Sequence, residues 1–145
     1  MSNDNATARI EEQKSKMFKE LTSEQSSIFY KQSESSVFIT AAAVGFYRKE
    51  PKELTSKKTD LFVTSTLGKD NAEKLWIMKA IAIAYTGTLE IIDDMKKVVE
   101  ICEKYANSGI DILYNQYLAG NEISEMAELM QTAVDDFEEN HPELN

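Results

Sequence analysis

LWIMKAIAIAYTGTLEIIDDMKKVVEICEKYANSGIDILYNQYL, from Leu75 to Leu118, decides the fold, because it reads as two helices of different kinds. On a wheel of about 100° per residue, Ile91, Met95, Val98, Val99, Tyr105, Ala106, Gly109 and Leu113 gather around Cys102. Glu100, Lys104, Asn107 and Asp111 fall opposite, which predicts a core stripe and a solvent face. Taken alone, Asn107-Ser108-Gly109 is a helix C-terminus, since Gly is the usual left-handed cap. Leu113 and Tyr117 keep the register, however. They favour a continuous helix in which Gly109 lies on the stripe and lets another backbone approach closely.

The preceding helix, from about Asp70 to Thr86, carries one charge, Lys79, between Leu75 and Tyr85. An element apolar on nearly all sides is expected in the middle of a domain. Its eleven-residue run is well below the roughly 18 to 20 residues that span a bilayer, so no membrane segment is expected. Gly87 is the expected stop, and Asp70 or Asn71 the expected N-cap.

A chain of 145 residues, 42% of them apolar, can bury one real core. The expectation is a single domain over 1–145, with 1–8 and 139–145 flexible at its ends. The polar opening MSNDNATARIEEQKSK contains no apolar leader, which points to a cytoplasmic protein. One cysteine cannot form an internal disulfide, and Cys102 at the centre of an apolar stripe reads as a small buried hydrophobe. The one histidine completes Glu138-x-x-His141, but di-iron bundles need two such motifs plus further glutamates. Zinc needs more Cys and His than this chain holds, so neither a metal nor a cofactor is expected.

Charge is distributed unevenly. Residues 1 to 104 hold all 16 Lys and Arg with 16 of the 25 acids, whereas 105 to 145 hold nine acids and no Lys or Arg. The net charge of −9 thus belongs to the last third, as a solvated acidic face or a surface for a basic partner.

Taken in order, the first ten residues read as polar tail, and Ile10, Met17, Phe18 and Leu21 as a helix over Arg9 to Leu21. Thr22-x-x-Gln25 has capping-box spacing and predicts a short helix through Ile28, Phe29 and Tyr30. Serine caps followed by Val37, Phe38, Ile39 and three alanines predict a buried helix to Tyr47. The loop after it carries Arg48, Lys49, Lys52, Lys57 and Lys58 against Glu50, Glu53 and Asp60. LFVTSTLG reads as coil or a turn of helix, because an isolated strand has no evident partner; Phe62 and Leu67 should anchor it. Ala119-Gly120-Asn121 is a turn signal. A last helix follows, with Ile123, Met126, Ala127, Met130, Ala133, Val134 and Phe137 as its stripe. The fold class expected is all-α: a single compact domain of five to seven helices around a buried central helix.

Signatures of catalysis are mainly absent from the sequence. There is no second histidine for a triad, no imidazole for the cysteine and no GxxxxGK[ST] loop. Asp93 and Asp94 suit the start of the striped helix, where negative charge favours the helix dipole. Arg48, Lys49, Lys52, Lys57 and Lys58 form the candidate nucleic-acid surface, since lysines there could neutralise phosphates. Asn107, Asp111, Asp135 and Asp136 are the candidate partner-binding residues.

Glu103-Lys104-Tyr105-Ala106-Asn107-Ser108-Gly109-Ile110-Asp111-Ile112-Leu113 resembles the late signature of the DNA phosphorothioation-associated protein 4 family. Ala42-Ala43-Val44-Gly45-Phe46-Tyr47 with the basic loop and Leu61-Phe62, and the helix at Ile81-Ala82-Ile83-Ala84, extend the likeness over roughly 35 to 118. The resemblance implies a setting of DNA sulfur modification and the restriction that depends on it, and it carries over no catalytic residue. The expectation is a non-enzymatic accessory component of such a defence system. It would bind double-stranded DNA through the basic loop or a system protein through the acidic helix, with homo-oligomers open and no membrane. The alternatives are a helical adaptor that touches only protein and, more remotely, an acidic DNA mimic.

Overall fold

A computed structural model describes residues 5–67 and 72–140. Among them, strand β1 (Thr7–Glu11) leads into helix α1 (Ser15–Ser23) and then α2 (Glu34–Tyr47). Strand β2 (Lys58–Val63) and helices α3 (Ala72–Thr86) and α4 (Met95–Asn140) complete the order. The chain is therefore mostly helical with a small sheet, not all-α, and has four α-helices among the described residues instead of five to seven. It divides into two compact units, Met1–Tyr114 and Asn115–Asn145.

The sheet is the main correction in the first unit. β1 and β2 pair antiparallel, from Thr7 opposite Val63 to Glu11 opposite Lys58, with an irregularity between Ala8 and Arg9. The partner that LFVTSTLG lacked in sequence is Thr7–Glu11, which takes in the end of the segment read as polar tail and the start of the helix expected from Arg9; that helix begins only at Ser15. Residues 5–8 are tied down: Ala6 N–H donates to Thr64 Oγ1 at 2.9 Å, Thr64 N–H returns a bond to the Ala6 carbonyl at 2.8 Å, and Ala8 is buried. Phe62 meets Phe38 edge-on with ring centroids 5.2 Å apart, and Leu67 is buried, so both anchor the segment as expected. The capping box at Thr22 does not form. Thr22 lies inside α1, where its hydroxyl donates to the Phe18 and Lys19 carbonyls, and Ile28 to Tyr30 follow in turns.

The central helix is α2, not α3. Ser33 caps α2 by accepting Ser36 N–H at 3.2 Å, and the helix buries Val37, Phe38, Ile39, Ala41 and Ala42. Small residues decide its place. A Cβ on Gly45 would lie 2.1 Å from the Tyr105 carbonyl oxygen, and one on Gly109 would lie 1.7 Å from that of Ala41. Only glycine at both points lets α2 and α4 cross this closely. Helix α3 covers only Met78, Ile81 and Ala82, while Trp76 is 58% exposed and Ile77 41%. An all-round apolar helix met neighbours on one side only, so it sits at the edge of the unit. Gly87 ends it at φ +76°, donating to the Ile83 carbonyl at 2.7 Å. The expected caps at Asp70 and Asn71 lie outside the described residues.

Helix α4 is continuous through Gly109, and also through Ala119-Gly120-Asn121, where a turn was expected. Asp94 caps it, its Oδ1 accepting Lys97 N–H at 3.2 Å. Met95, Val98, Val99, Cys102, Tyr105 and Ala106 are buried as the wheel predicts. The described part of the second unit is one helix.

Candidate functional site: a clamped basic loop and its cleft

The basic loop leaves α2 through Lys49 in a left-handed conformation, φ +57°, and is then fixed from two sides. On one side stands α4. Lys52 N–H donates to the Lys104 carbonyl at 2.9 Å, and Asn107 Nδ2 donates to the carbonyls of Lys52 at 3.2 Å and Glu53 at 3.1 Å. On the other side Glu11 Oε2 accepts Thr55 N–H, Ser56 N–H and the Ser56 hydroxyl, each at 3.0 Å. Just beyond, Glu12 N–H donates to the Lys57 carbonyl at 2.7 Å.

Lys14 joins the two clamps. Its buried ammonium donates to the Asn107 carbonyl at 2.7 Å and to Asp111 Oδ2 at 3.0 Å, and lies 3.5 Å from Glu11 Oε1. Burial pushes the Glu11 carboxyl up, but the Ser56 and Thr55 donors and Lys14 outweigh it and hold the group at about 2. A buried carboxylate with three donors and an ammonium beside it is compensated; with any of these removed it is not.

Asn107 is thereby corrected. It is 5% exposed, a buried clamp and not a solvent-facing partner residue. The wheel placed it opposite Cys102 correctly, but the loop and Lys14 cover that side. Asp111, half-buried, is engaged with Lys14. Asp135 and Asp136 are exposed in the second unit, and Asp135 accepts Gln131 Nε2 at 3.0 Å. Of the five loop cations, Lys57 pairs with Glu12 at 3.4 Å; Arg48, Lys49, Lys52 and Lys58 are exposed and make no ion pair among the described residues.

Beside the loop lies a cleft of about 570 Å³, bordered by Arg9, Lys58, Lys96 and Lys104 with Glu53, Glu100 and Glu103. Arg9 is held by Asp60 at 3.2 Å and Lys104 by Glu53 at 3.1 Å, which leaves Lys58 and Lys96 as its unpaired cations among the described residues. Burial pushes the Glu103 carboxyl up to about 7, against the Arg9 N–H that it accepts at 2.6 Å and the charge of Lys58. Sequence reasoning missed Arg9, Glu11, Lys14, Lys96 and Glu103. The one local signal was Glu11-x-x-Lys14, an ordinary spacing for an exposed helical pair. Cys102 is buried, its thiol donating to the Met78 carbonyl at 3.5 Å, and burial pushes it up to about 12, so it is held as the neutral thiol at ordinary pH. Among the described residues no three His, Cys, Asp or Glu side chains gather in a metal-binding group; His141 lies outside them.

These features define a mainly helical protein with a two-stranded sheet, whose polar surface is organised into a fixed basic loop, a charged cleft and an acidic helix. The chain belongs to the family described as DNA sulphur modification system-associated protein 4, whose model matches residues 7–144. The match includes the N-terminal strand and the acidic end of α4, to which the sequence resemblance did not extend. No curated protein and no solved structure is detectably similar to the chain. No helix among the described residues is long and apolar enough to cross a membrane.

Proposed function

We propose that this protein is a non-enzymatic accessory component of a DNA sulphur modification system that works by docking another protein of that system. The observation that carries this reading is the second unit. Its helix has Ile123 69%, Met126 63%, Leu129 72% and Met130 65% exposed, a run of large apolar side chains that a monomeric soluble helix does not normally leave to water. Family membership supports a partner from the same system. The test is co-expression of the tagged chain with the proteins of its own modification system. The native chain should retain one of them through purification, and the Met126→Glu, Met130→Glu double variant should lose it. Equal retention by both would remove the distal helix from the reading.

A second reading, direct contact with DNA, is favoured by the clamped loop. A surface whose backbone is already fixed loses little entropy on binding, and four of its five cations make no ion pair among the described residues. Affinity for plain and phosphorothioated duplexes at low and physiological salt tests it. Charge reversal at Lys52, Lys57 and Lys58 should weaken binding and flatten its salt dependence. An unchanged isotherm would exclude the loop.

A further inference from the structure

The stripe on the distal half of α4 has a definite period. Ala119, Ile123, Met126, Met130 and Ala133 alternate spacings of four and three, the two central positions of a heptad, and Ala127 and Val134 widen the stripe on one side. Ala119 to Ala133 spans about 21 Å of helix, long enough to seat about four turns of a second helix. The described part of this unit contains no other element that could cover it.

Charge chooses the occupant. Between Asn115 and Asn140 there are seven acids and no Lys or Arg. Glu122 and Asp136 border the stripe on the side opposite Val134. A second copy would bring its own Glu122 and Asp136 to the same contact with no cation to meet them, whereas a helix edged by cations would meet a complementary field.

We propose that the distal half of α4 binds an amphipathic helix of another protein, one whose apolar stripe is flanked by lysine or arginine. This rests on the docking role argued above and adds to it the chemistry of the partner.

The probes are three synthetic helical peptides with the same Leu and Ile stripe, flanked by Lys, Gln or Glu, titrated against the full chain by fluorescence anisotropy. The Lys peptide should bind at least about fivefold more tightly than the Gln peptide, and the Glu peptide more weakly still. The Lys advantage should shrink as salt is raised. Met126→Glu with Met130→Glu should abolish binding of all three, with circular dichroism confirming that the variant keeps its helix. Equal affinities for the Lys and Glu peptides would overturn the charge-selected partner while leaving docking on the stripe intact. Binding that survives the double variant, or no binding at all, would remove the stripe as a peptide site and with it this proposal. Sedimentation of the chain alone supplies the last outcome: a dimer strengthened by salt and dissociated by Met130→Glu would assign the stripe to a second copy and overturn the proposal.

Discussion

The two halves of α4 carry the same kind of stripe and opposite surroundings. From Met95 to Ile110 the apolar positions are buried, with α2 crossing at Gly109 and Met78 of α3 meeting Cys102. From Leu118 to Val134 the apolar side chains are exposed, on a stretch without a single cation. Amphipathicity therefore identifies a face that wants a partner and says nothing about whether the partner is in the chain. The difference lies in what flanks the stripe. The proximal polar side has Lys104 paired to Glu53, with Asn107 and Asp111 tied to the loop and Lys14, whereas every charged residue of the distal half is acidic.

Glycine gives the largest contrast between the halves. Gly109→Ala puts a methyl group against backbone that cannot rotate away, and should cost about 3 kcal/mol or more in chemical unfolding. Gly120→Ala meets nothing within 4 Å and should stabilise its helix by about 0.5 to 1 kcal/mol. Comparable effects at the two sites would mean that the α2 crossing is looser than described.

The buried network of the first unit has no counterpart among the described residues of the second, and it should make the first unit acid-sensitive. Glu11 is held at about 2 against an ordinary 4.5, which corresponds to roughly 3 kcal/mol favouring the fold. A lowered folded-state value means that this stability is present above pH 4.5 and is lost as pH falls towards 2. Glu11→Gln should therefore unfold well before the native chain at pH 7, with the gap closing below pH 4.5.

Glu103 runs the other way. Its carboxyl is raised from 4.5 to about 7, so its contribution is fully present below pH 4.5 and declines as pH rises through 7. Glu103→Gln should gain stability relative to the native chain between pH 5 and pH 8 in thermal melts. A constant difference across that range would mean that the cleft carboxylate is solvated after all.

What was legible in the sequence was local. The register of Leu113 and Tyr117 through Gly109, the serine caps and alanines of α2, and the stop at Gly87 all depend on residues within a turn or two. What was not legible depends on residues far away along the chain. TARIE is too short to announce a strand until KTDLFV, some fifty residues on, supplies its hydrogen bonds. The wheel gives the direction of Asn107 but not the loop that arrives there. Composition made α3 apolar on nearly every side, and only the packing decides that Trp76 and Ile77 face outwards. Ala119-Gly120-Asn121 has turn composition, but nothing in the described fold forces the chain to reverse there, and a helix without a reason to stop continues.

The smallest expected effect tests whether the distal stripe is really uncovered in the protein alone. Ile110→Ala, at a proximal position 1% exposed, should cost about 2 to 5 kcal/mol by lost burial and the cavity left behind. Met130→Ala, at a position 65% exposed, removes no packed contact and exchanges one good helix former for another, so its effect should stay within about 0.5 kcal/mol. Both can be read by urea unfolding at several protein concentrations. A loss above about 1 kcal/mol at Met130 that grows with concentration would mean that another copy already covers the stripe, because only a contact between chains makes stability depend on their concentration. A negligible, concentration-independent effect leaves the distal half of α4 as a surface whose value is realised on binding, and the same substitution should then weaken peptide capture while leaving the fold unchanged.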